Sequence, residues 1–418
     1  MSDGIPELFV GVDWAKRKHD VVLMTPDGRV LEHLVLSHDD QGFEKLHQRI
    51  DATGVAPCSV FMAIETPHGS VVASCLLRRY CVFVLNPKQV DRFRDRYFLS
   101  GAKDDRRDAE VLASALRTDL KCFREVRPAS EARRVLEQTL RLHDSLVEQR
   151  TALLNQFGEL IHEYFPQFEE ACEDLGAAWV RAFWKMAPTA SVAQSLSEEA
   201  ISELLKKHRV RRIDAKTVLA RVSAKPLPLL PGVEKACVMH IRVLVEQLEL
   251  VCKHLQASGA ELRSLINSIR GEDRHDANGD RQLSDVDIIE SLPGAGPYVT
   301  AILLADARDE LGARSYERLR AVAGVAPVTM KSANKRAVIM RQASRPRLRR
   351  GVYHMARIAV MNEESLKARY SALRASGKSH GLALRIVADS MLRALTSMLK
   401  ERTCWRSPAT MRTEKHPA

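Results

Sequence analysis

The first part of the chain alternates short apolar runs with turn residues, a pattern that predicts β-strands. LFVGVDW is apolar up to Asp13, and two further apolar runs within residues 8–37 are separated by a Pro-Asp-Gly turn at 26–28. SVFMAIE at 59–65 and CVFVLNP at 81–87 are additional strands, with a helical pattern between them. Strands that give way to strand–helix alternation predict an α/β layer fold.

Helical periodicity replaces the strand pattern further along the chain. A helix is predicted over 104–118, a long helix over about 131–163 after Ser130 as N-cap, and a second long helix over about 234–270. In the second long helix, apolar residues recur every seven positions: Ile241, Leu248, Leu255, Leu262 and Ile269. This is a coiled-coil pattern. It leaves open whether the two long helices pair with each other, pair with a second chain, or are buried within one bundle.

Pro-rich and polar segments divide the chain into four predicted parts. An α/β domain occupies 1–127, and a helical and coiled-coil region occupies 128–283. The latter contains an inserted segment at 166–232 that has no clear assignment. A mainly α-helical C-terminal domain is predicted over 284–402, followed by a disordered tail over 403–418.

Length and cysteine usage narrow the class of protein. A chain of 418 residues is long enough for two or three folding units with sizeable cores. No apolar run has the length of a membrane span, and the first residues lack the pattern of a signal peptide, so we expect no membrane partner. The eight cysteines form no CxxC pair, so a zinc site or disulfide framework is not expected. A reducing cytoplasm fits this composition best.

Basic charge suggests a polyanionic partner. The net charge is +11, and residues 331–350 contain eight basic residues and no acid. These are Lys331, Lys335, Arg336, Arg341, Arg345, Arg347, Arg349 and Arg350. A solvated helix face would normally intersperse acids among such residues. We therefore predict that this stretch contacts DNA or RNA.

Four carboxylates stand at the ends of predicted elements. Asp13 and Glu65 each end an apolar strand, whereas Asp105 and Asp108 lie three apart on one face at the start of a helix. Such oxygens suit Mg²⁺ or Mn²⁺, and two ions can promote cleavage of a phosphodiester. Each residue could instead be a turn or cap residue, and Asp104 competes with Asp105 for the ligand role.

The C-terminal domain contains a glycine turn and a serine of interest. IIESLPGAGPYVTAILLAD at 288–306 places a PGxGP turn between two apolar helical segments, and such a turn allows backbone amides to approach a phosphate. Ser332 lies between Lys331 and Lys335, at the head of the basic stretch. Neighbouring cations could neutralise a phosphate under nucleophilic attack. By residue type alone, however, Ser332 is an ordinary surface serine.

The motifs together resemble a known family. VGVDWAKRKHD, AIETPHGS and VLNPKQVDRFRDRY…GAKDDRRDAEVLA look like the three N-terminal blocks of the DEDD transposases of insertion sequence family 110 and the related pilin-gene invertases. LPGAGPYVTAILLAD and LRAVAGVAPVTMKSANK…RRGVYHMAR look like the C-terminal transposase domain of that family. The resemblance covers about 8–165 and 284–360, in the same order.

The resemblance implies a fold and a set of catalytic residues. It implies a ribonuclease H-like N-terminal domain, similar to Holliday-junction resolvases, joined by a coiled coil to the C-terminal domain. It also implies that Asp13, Glu65, Asp105 and Asp108 hold a divalent metal, Mg²⁺ or Mn²⁺. Ser332 would attack a DNA strand and form a covalent phosphoserine link.

The implied partners are DNA at the element ends and the target, a structured guide RNA, and further copies of the chain in a dimer or tetramer. The implied place of action is the bacterial cytoplasm, at the nucleoid. Two other functions remain open from the residues. One is a junction-resolving nuclease that hydrolyses DNA with metal alone, and the other is a non-catalytic regulator that binds nucleic acid.

Overall fold

The chain divides into two compact units, Met1–Ala129 and Ser130–Ala418. The computed structural model describes residues 5–66, 69–97, 105–126, 130–172, 174–272, 282–332 and 335–407. The predicted disordered tail falls largely on residues 408–418, which lie outside the described residues.

The first unit is a mixed sheet with helices. Its strands are β1 (Leu8–Trp14), β2 (Lys18–Met24), β3 (Val30–Ser37), β4 (Val60–Ile64), β5 (Cys81–Val84) and β6 (Arg124–Glu125). Its helices are α1 (Asp40–Asp51), α2 (Ser70–Leu77), α3 (Pro87–Tyr97) and α4 (Asp105–Asp119), with short 3-10 turns at Pro57–Ser59 and Leu120–Cys122. The predicted α/β layer fold is confirmed.

The sheet has the strand order β3-β2-β1-β4-β5-β6. β2 and β3 continue β1 as antiparallel neighbours, whereas β4 and β5 are parallel to β1. Alternate residues of β1 face opposite sides: Val10 packs with α1 and α2, and Phe9 packs with α4. Because the central strands are covered on both faces, β1 and β4 read as continuous apolar runs.

Gly11 lets α4 pack directly on the centre of the sheet. A Cβ atom at Gly11 would lie 1.9 Å from the carbonyl oxygen of Ala109, so only glycine fits there. Farther along α4, Arg117 Nη1 donates to the carbonyl of Pro26, at 3.4 Å, in the turn between β2 and β3. That turn lies beside the start of β1. α4 therefore runs antiparallel to β1, and its first turn lies toward the end of β1 where Asp13 stands.

The second unit is mostly helical. Its long helices are α5 (Glu131–Tyr164) and α11 (Val233–Glu272), and between them lie α6 (Gln167–Ala171), α7 (Ala178–Met186), α8 (Ala190–Gln194), α9 (Glu198–Lys207) and α10 (Ala215–Val222). After them come α12 (Asp285–Glu290), α13 (Pro297–Asp306), α14 (Arg308–Gly312), α15 (Tyr316–Val322), α16 (Pro346–Asn362), α17 (Glu364–Ala375) and α18 (His380–Glu401). A hairpin of β7 (Pro327–Ser332) and β8 (Lys335–Met340) interrupts the helices.

The two long helices pack against each other within one chain. Between their ends, His143 Nδ1 and Ser258 Oγ are 2.9 Å apart. One end of the pair contributes Leu140 and Ile266 to a core with α12, α13, α16 and α18. The other end contributes Ile161 to a second core with α6–α10. The predicted bounds of both long helices are confirmed to within two residues.

The segment 166–232 that the sequence left unassigned is part of this second core. Phe168 and Phe183 stack with ring centroids 4.8 Å apart, and both contact the buried ring of Trp184. Because the ends of α5 and α11 complete this core, α6–α10 are an integral layer of the unit.

The glycine turn serves the packing of the C-terminal helices. Gly294 has a φ of +79°, and a Cβ atom there would lie 2.3 Å from the carbonyl oxygen of Met355. Glycine is therefore needed for the backbone conformation and for close approach of the turn to α16. None of the described helices is long and apolar enough to cross a membrane.

Candidate functional site

Two of the predicted carboxylate residues leave the sheet at the same edge. In the parallel pairing of β1 with β4, Val12 is opposite Ile64. Asp13 and Glu65 are the next residue on each strand, and both are partly exposed. Parallel pairing in the centre of a sheet holds the backbone of these two positions rigidly. The structure therefore brings Asp13 and Glu65, which the sequence placed at strand ends, to one edge of the sheet.

Helix α4 brings Asp108 toward the same edge. Asp108 precedes Ala109, whose carbonyl lies against Gly11, two residues before Asp13. Asp108 is buried, with 5% of its surface exposed. Asp105 is the first residue of α4, one turn earlier, but its side chain lies outside the described residues, as does Asp104. Across the described side chains, no group of three or more His, Cys, Asp or Glu is arranged to hold a metal ion.

Asp108 is paired with Arg94, a residue that the sequence did not mark as functional. Arg94 of α3 donates from Nε to Asp108 Oδ1 at 2.7 Å and from Nη1 to Asp91 at 2.9 Å. Burial acts to lower the pKa of Arg94, but the hydrogen bonds and charges of Asp108 and Asp91 outweigh it and raise the pKa. A cation that binds Asp108 must therefore compete with a permanently charged guanidinium. The only feature of the sequence that could have indicated a role for Arg94 is its position three residues after Asp91, within a block that resembles the family.

A hydrogen-bonded chain of side chains lies beside this edge. His19, opposite Trp14 in the pairing of β2 with β1, has its Nε2 2.8 Å from His38 Nδ1. His38 Nε2 is in turn 3.2 Å from Ser70 Oγ, at the start of α2. Burial of His19 and the adjacent His38 lower the pKa of His19. These hydrogen bonds connect β2, the end of β3 and the start of α2 near Asp13. The sequence alone did not indicate that the two histidines contact each other.

Ser332 is the last residue of β7, at the tip of the hairpin. It pairs with Lys335, the first residue of β8, and Lys331 pairs with Arg336. The side chains of all four residues lie outside the described part of the structure, as do residues 333–334 between the strands. The prediction of a mainly α-helical C-terminal domain is confirmed, but the sequence did not predict this hairpin. β-Branched and apolar residues on both sides of a short connection favour it.

Two arginines of the predicted basic stretch are engaged in ion pairs inside the unit. Arg345 makes a bidentate pair with Glu310, with both distances 2.9 Å, and Glu310 is only 6% exposed. Arg347 donates from Nε to Asp306 at 2.7 Å and lies 3.5 Å from Asp144. Residues 331–350 contain no acidic residue, but the fold brings three from other helices, Glu310, Asp306 and Asp144, to these arginines. A contact of these two residues with nucleic acid stays a prediction.

The remaining described arginines of this stretch have weaker partners. Arg349 donates from Nε to Ser344 Oγ at 2.9 Å, and Arg341 donates to the carbonyl of Ala343 at 3.3 Å. Arg350 is exposed and makes no ion pair or hydrogen bond with any residue that the structure describes. Of the described part of the basic stretch, Arg350 is therefore the residue most available to an external anion.

Comparison with known families agrees with these features. A family described as transposase matches residues 10–166, and the Transposase IS116/IS110/IS902 family matches residues 286–371. The chain is 30% identical over 404 residues to "Mini-circle putative transposase for IS117" of Streptomyces coelicolor, covering 94% of each chain. It is 26% identical to "Insertion element IS116 uncharacterized 44.8 kDa protein" of Streptomyces clavuligerus, covering 96% of this chain and 97% of that one.

A further match is 42% identical over 209 residues to "Putative transposase y4uE" of Sinorhizobium fredii, covering 50% of this chain and 58% of that relative. The chain belongs to the IS110 family of transposases. Transposases are enzymes that cleave and rejoin DNA, so DNA is a partner. The resemblance predicted from the motifs is confirmed.

Proposed function

We propose that this transposase acts as a site-specific recombinase on the DNA of an insertion sequence, using a carboxylate site for divalent metal and Ser332 as nucleophile. The carrying observation is the shared edge of Asp13 and Glu65, with Asp108 brought toward it by the packing of α4 on Gly11. The pairing of β1 with β4 fixes the backbone on which both carboxylates stand.

The carboxylate site would be built by Asp13, Glu65, Asp105 and Asp108. Their oxygens are hard donors of the kind that Mg²⁺ and Mn²⁺ prefer. A bound divalent ion would neutralise phosphate charge and stabilise the leaving oxygen during strand cleavage. The mixed sheet, with antiparallel β2 and β3 on one side of β1 and parallel β4 and β5 on the other, supports a ribonuclease H-like fold for this unit.

Arg94 would act as a positioning residue for Asp108. Its bond to Oδ1 fixes the carboxylate and offsets a buried negative charge while no cation is bound. The second oxygen of Asp108 would then be the one directed to an incoming cation. Asp91, on the exposed side of Arg94, helps to hold the guanidinium in place.

Ser332 would carry the covalent step. The Ser332 hydroxyl gives up its proton as its Oγ–P bond forms and a backbone P–O bond of the DNA breaks, and the departing DNA oxygen takes up a proton. Rejoining reverses this, because a hydroxyl of another strand displaces the serine and loses its proton. The position of Ser332 at a hairpin tip beside Lys331 and Lys335 supports access to a phosphate and neutralisation of its charge.

The remaining partners follow from the resemblance and the charge. A guide RNA would suit a chain of net charge +11, because structured RNA is bound largely through phosphates and shape. We propose that α5 and α11 form a coiled coil and that the active form is a dimer or tetramer. We also propose that residues 1–127, 128–283 and 284–402 are the functional domains. We propose that the protein acts at the nucleoid.

A suicide-substrate trap tests the proposal. The purified protein, co-purifying RNA, Mg²⁺ and nicked element-junction DNA are incubated and separated on a denaturing gel. We expect a covalent adduct that maps to Ser332, is lost in Ser332→Ala, and needs Asp13. Matched controls are Ser376→Ala and Asp40→Asn, which change an exposed serine and an exposed first-turn acid.

A metal-dependent nuclease is the second candidate. Asp13, Glu65 and Asp108 all lie in the first unit, so the carboxylates alone could support hydrolysis. Cleavage that persists in Ser332→Ala, with no adduct in the wild type, would select this function. Undiminished function of a folded Glu65→Gln protein would contradict both candidates and favour a non-catalytic regulator that only binds nucleic acid.

A further inference from the structure

A cavity of about 710 Å³ lies within the second unit and is lined by cationic side chains. Its walls come from α13, the end of β8, α16 and the start of α18. Four arginines and two histidines line it: Arg349, Arg350, Arg357, Arg385, His354 and His380. All of its lining residues belong to the described part of the chain, and none of them is acidic.

Three of these arginines have no counterion among the residues that the structure describes. Within the described residues, Arg350, Arg357 and Arg385 make no ion pair and no hydrogen bond. On the same helix as Arg350, Arg347 is paired with two carboxylates. The fold therefore neutralises one group of arginines and leaves another facing a common space. Like charges brought together in this way repel each other, and an anion from outside would relieve the repulsion.

The start of α18 adds to the positive potential. This helix of 22 residues begins at His380, and both His380 and Gly381 line the cavity. Ser379 caps the amide of Leu382, but the first amides of a helix have no intrahelical acceptor. The helix dipole also favours an anion at this end. Burial and the charge of Arg357 lower the pKa of His354, as expected in a positive field.

Aromatic rings stand beside the cations. Tyr353 is 38% exposed and lines the cavity next to Arg350 and Arg357. Tyr298 lines it from α13 and is held in place because its hydroxyl donates to Asp144. A small inorganic anion would need cations alone. A cavity of this size with cations and ring faces suits a nucleotide, whose phosphate and base use both.

We propose that this cavity binds one nucleotide of a nucleic-acid strand, with its phosphate on Arg350, Arg357 and Arg385 and its base against Tyr353 and Tyr298. The site deepens the proposed function but does not depend on strand cleavage. It goes beyond the basic stretch at 331–350, because Arg357 and Arg385 lie outside that stretch.

The position of the cavity gives it a use in recombination. Met340, which lines the cavity, pairs with Pro327 at the base of the hairpin, whereas Ser332 pairs with Lys335 at its tip. Five residues of strand span about 17 Å at roughly 3.3 Å per residue. That length corresponds to about five steps of a strand in a duplex at roughly 3.4 Å per step, and to fewer steps of an extended single strand. A nucleotide held in the cavity would thus fix which phosphate of the same strand reaches Ser332.

Binding of a labelled single strand tests the site directly. Fluorescence anisotropy of the full chain with a dT 12-mer is measured in EDTA, so that metal-dependent cleavage cannot contribute. Arg385→Gln and Arg357→Gln should each raise Kd roughly 10-fold and reduce the slope of log K against log salt by about 1. Arg369→Gln is the matched control, because Arg369 is an exposed arginine of α17 outside the cavity.

The base contact has its own control. Tyr353→Ala should raise Kd roughly 10-fold, whereas Tyr353→Phe should keep the affinity. An abasic strand should bind the wild type and Tyr353→Ala equally. A parallel titration uses an rU 12-mer. The probe with the lower Kd shows whether the bound strand is DNA or RNA. Only variants with the thermal unfolding midpoint of the wild type are compared. The test requires that at least one of the two arginine variants meets this condition.

Two outcomes would overturn the site. In one, the folded arginine variants bind the dT and rU strands as well as Arg369→Gln does. In the other, Tyr353→Ala binds as the wild type does, which removes the base from the cavity. Neither outcome bears on adduct formation at Ser332. Conversely, Arg385-dependent binding by a protein that forms no adduct would contradict the proposed recombination and leave the site supported.

Discussion

The carboxylate edge of the first unit and the arginines of the second unit are charged regions built in opposite ways. At the edge, Asp13 and Glu65 are placed by the backbone pairing of β1 with β4. At the start of α16, by contrast, neighbouring arginines have different partners: Arg345 and Arg347 contact acids from other helices, and Arg350 faces a cavity. A charged residue at a strand end can be located from sequence, whereas the partner of a helical arginine depends on tertiary packing.

The largest expected effect is the loss of strand cleavage when the edge is altered. Asp13→Asn keeps the shape of the side chain but removes its charge, so cleavage should fall on the order of 100-fold or more. The rate is measured on element-junction DNA with Mg²⁺, next to Asp40→Asn, which should cleave as the wild type does. Normal cleavage by a folded Asp13→Asn protein would remove Asp13 from the site.

Loss of the internal ion pair of Arg345, at the N-cap of α16, should mainly affect stability. Arg345→Gln leaves buried Glu310 without its bidentate partner and should lower the free energy of unfolding by roughly 2 to 4 kcal/mol. Arg350→Gln, the same change five residues later, should alter it by no more than about 0.5 kcal/mol. Urea unfolding measures both. Equal stability losses for the two variants would show that the division between paired and open arginines is wrong.

A smaller loss of stability is expected when the close packing of α4 on Gly11 is disturbed. Gly11→Ala places a Cβ atom 1.9 Å from the backbone oxygen of Ala109. The helix must move away, which should cost about 1 to 3 kcal/mol of stability and displace Asp108 relative to Asp13. Gly271→Ala, in α11 with open space around it, is the control. If Gly11→Ala proved as stable and active as Gly271→Ala, the position of Asp108 would not depend on this contact.

The smallest effect concerns pH and the buried side chain of His19. The pKa of His19 is lowered from the ordinary value of 6.5, so the unfolded chain binds a proton at a pH where the folded chain does not. Stability should therefore fall as the pH drops below about 6.5, by at most about 1.4 kcal/mol per pH unit for this histidine. Burial also lowers the pKa values of His33 and His47, so these two histidines contribute to the same pH dependence. His19→Gln should flatten the slope of unfolding free energy against pH between 6.5 and 5, and an unchanged slope would exclude His19 as a source.

The sequence alone determined the elements whose patterns are local. Alternating and continuous apolar runs located β1, β4 and β5, and helical periodicity located α5 and α11 to within two residues. Asp13 and Glu65 could be predicted as neighbours because parallel strand ends meet at one edge. The family could be recognised because its motifs are contiguous blocks of sequence.

Tertiary structure decided every feature that depends on distant partners. Nothing near Asp108 in sequence identifies Arg94 as its ion pair, and nothing near Arg345 indicates Glu310. The layer formed by α6–α10 and the cationic cavity arise only when helices far apart in sequence pack together. The physical reason is that local propensity and periodicity act over a few residues, whereas charge compensation and burial are settled by whichever side chains the completed fold brings within reach.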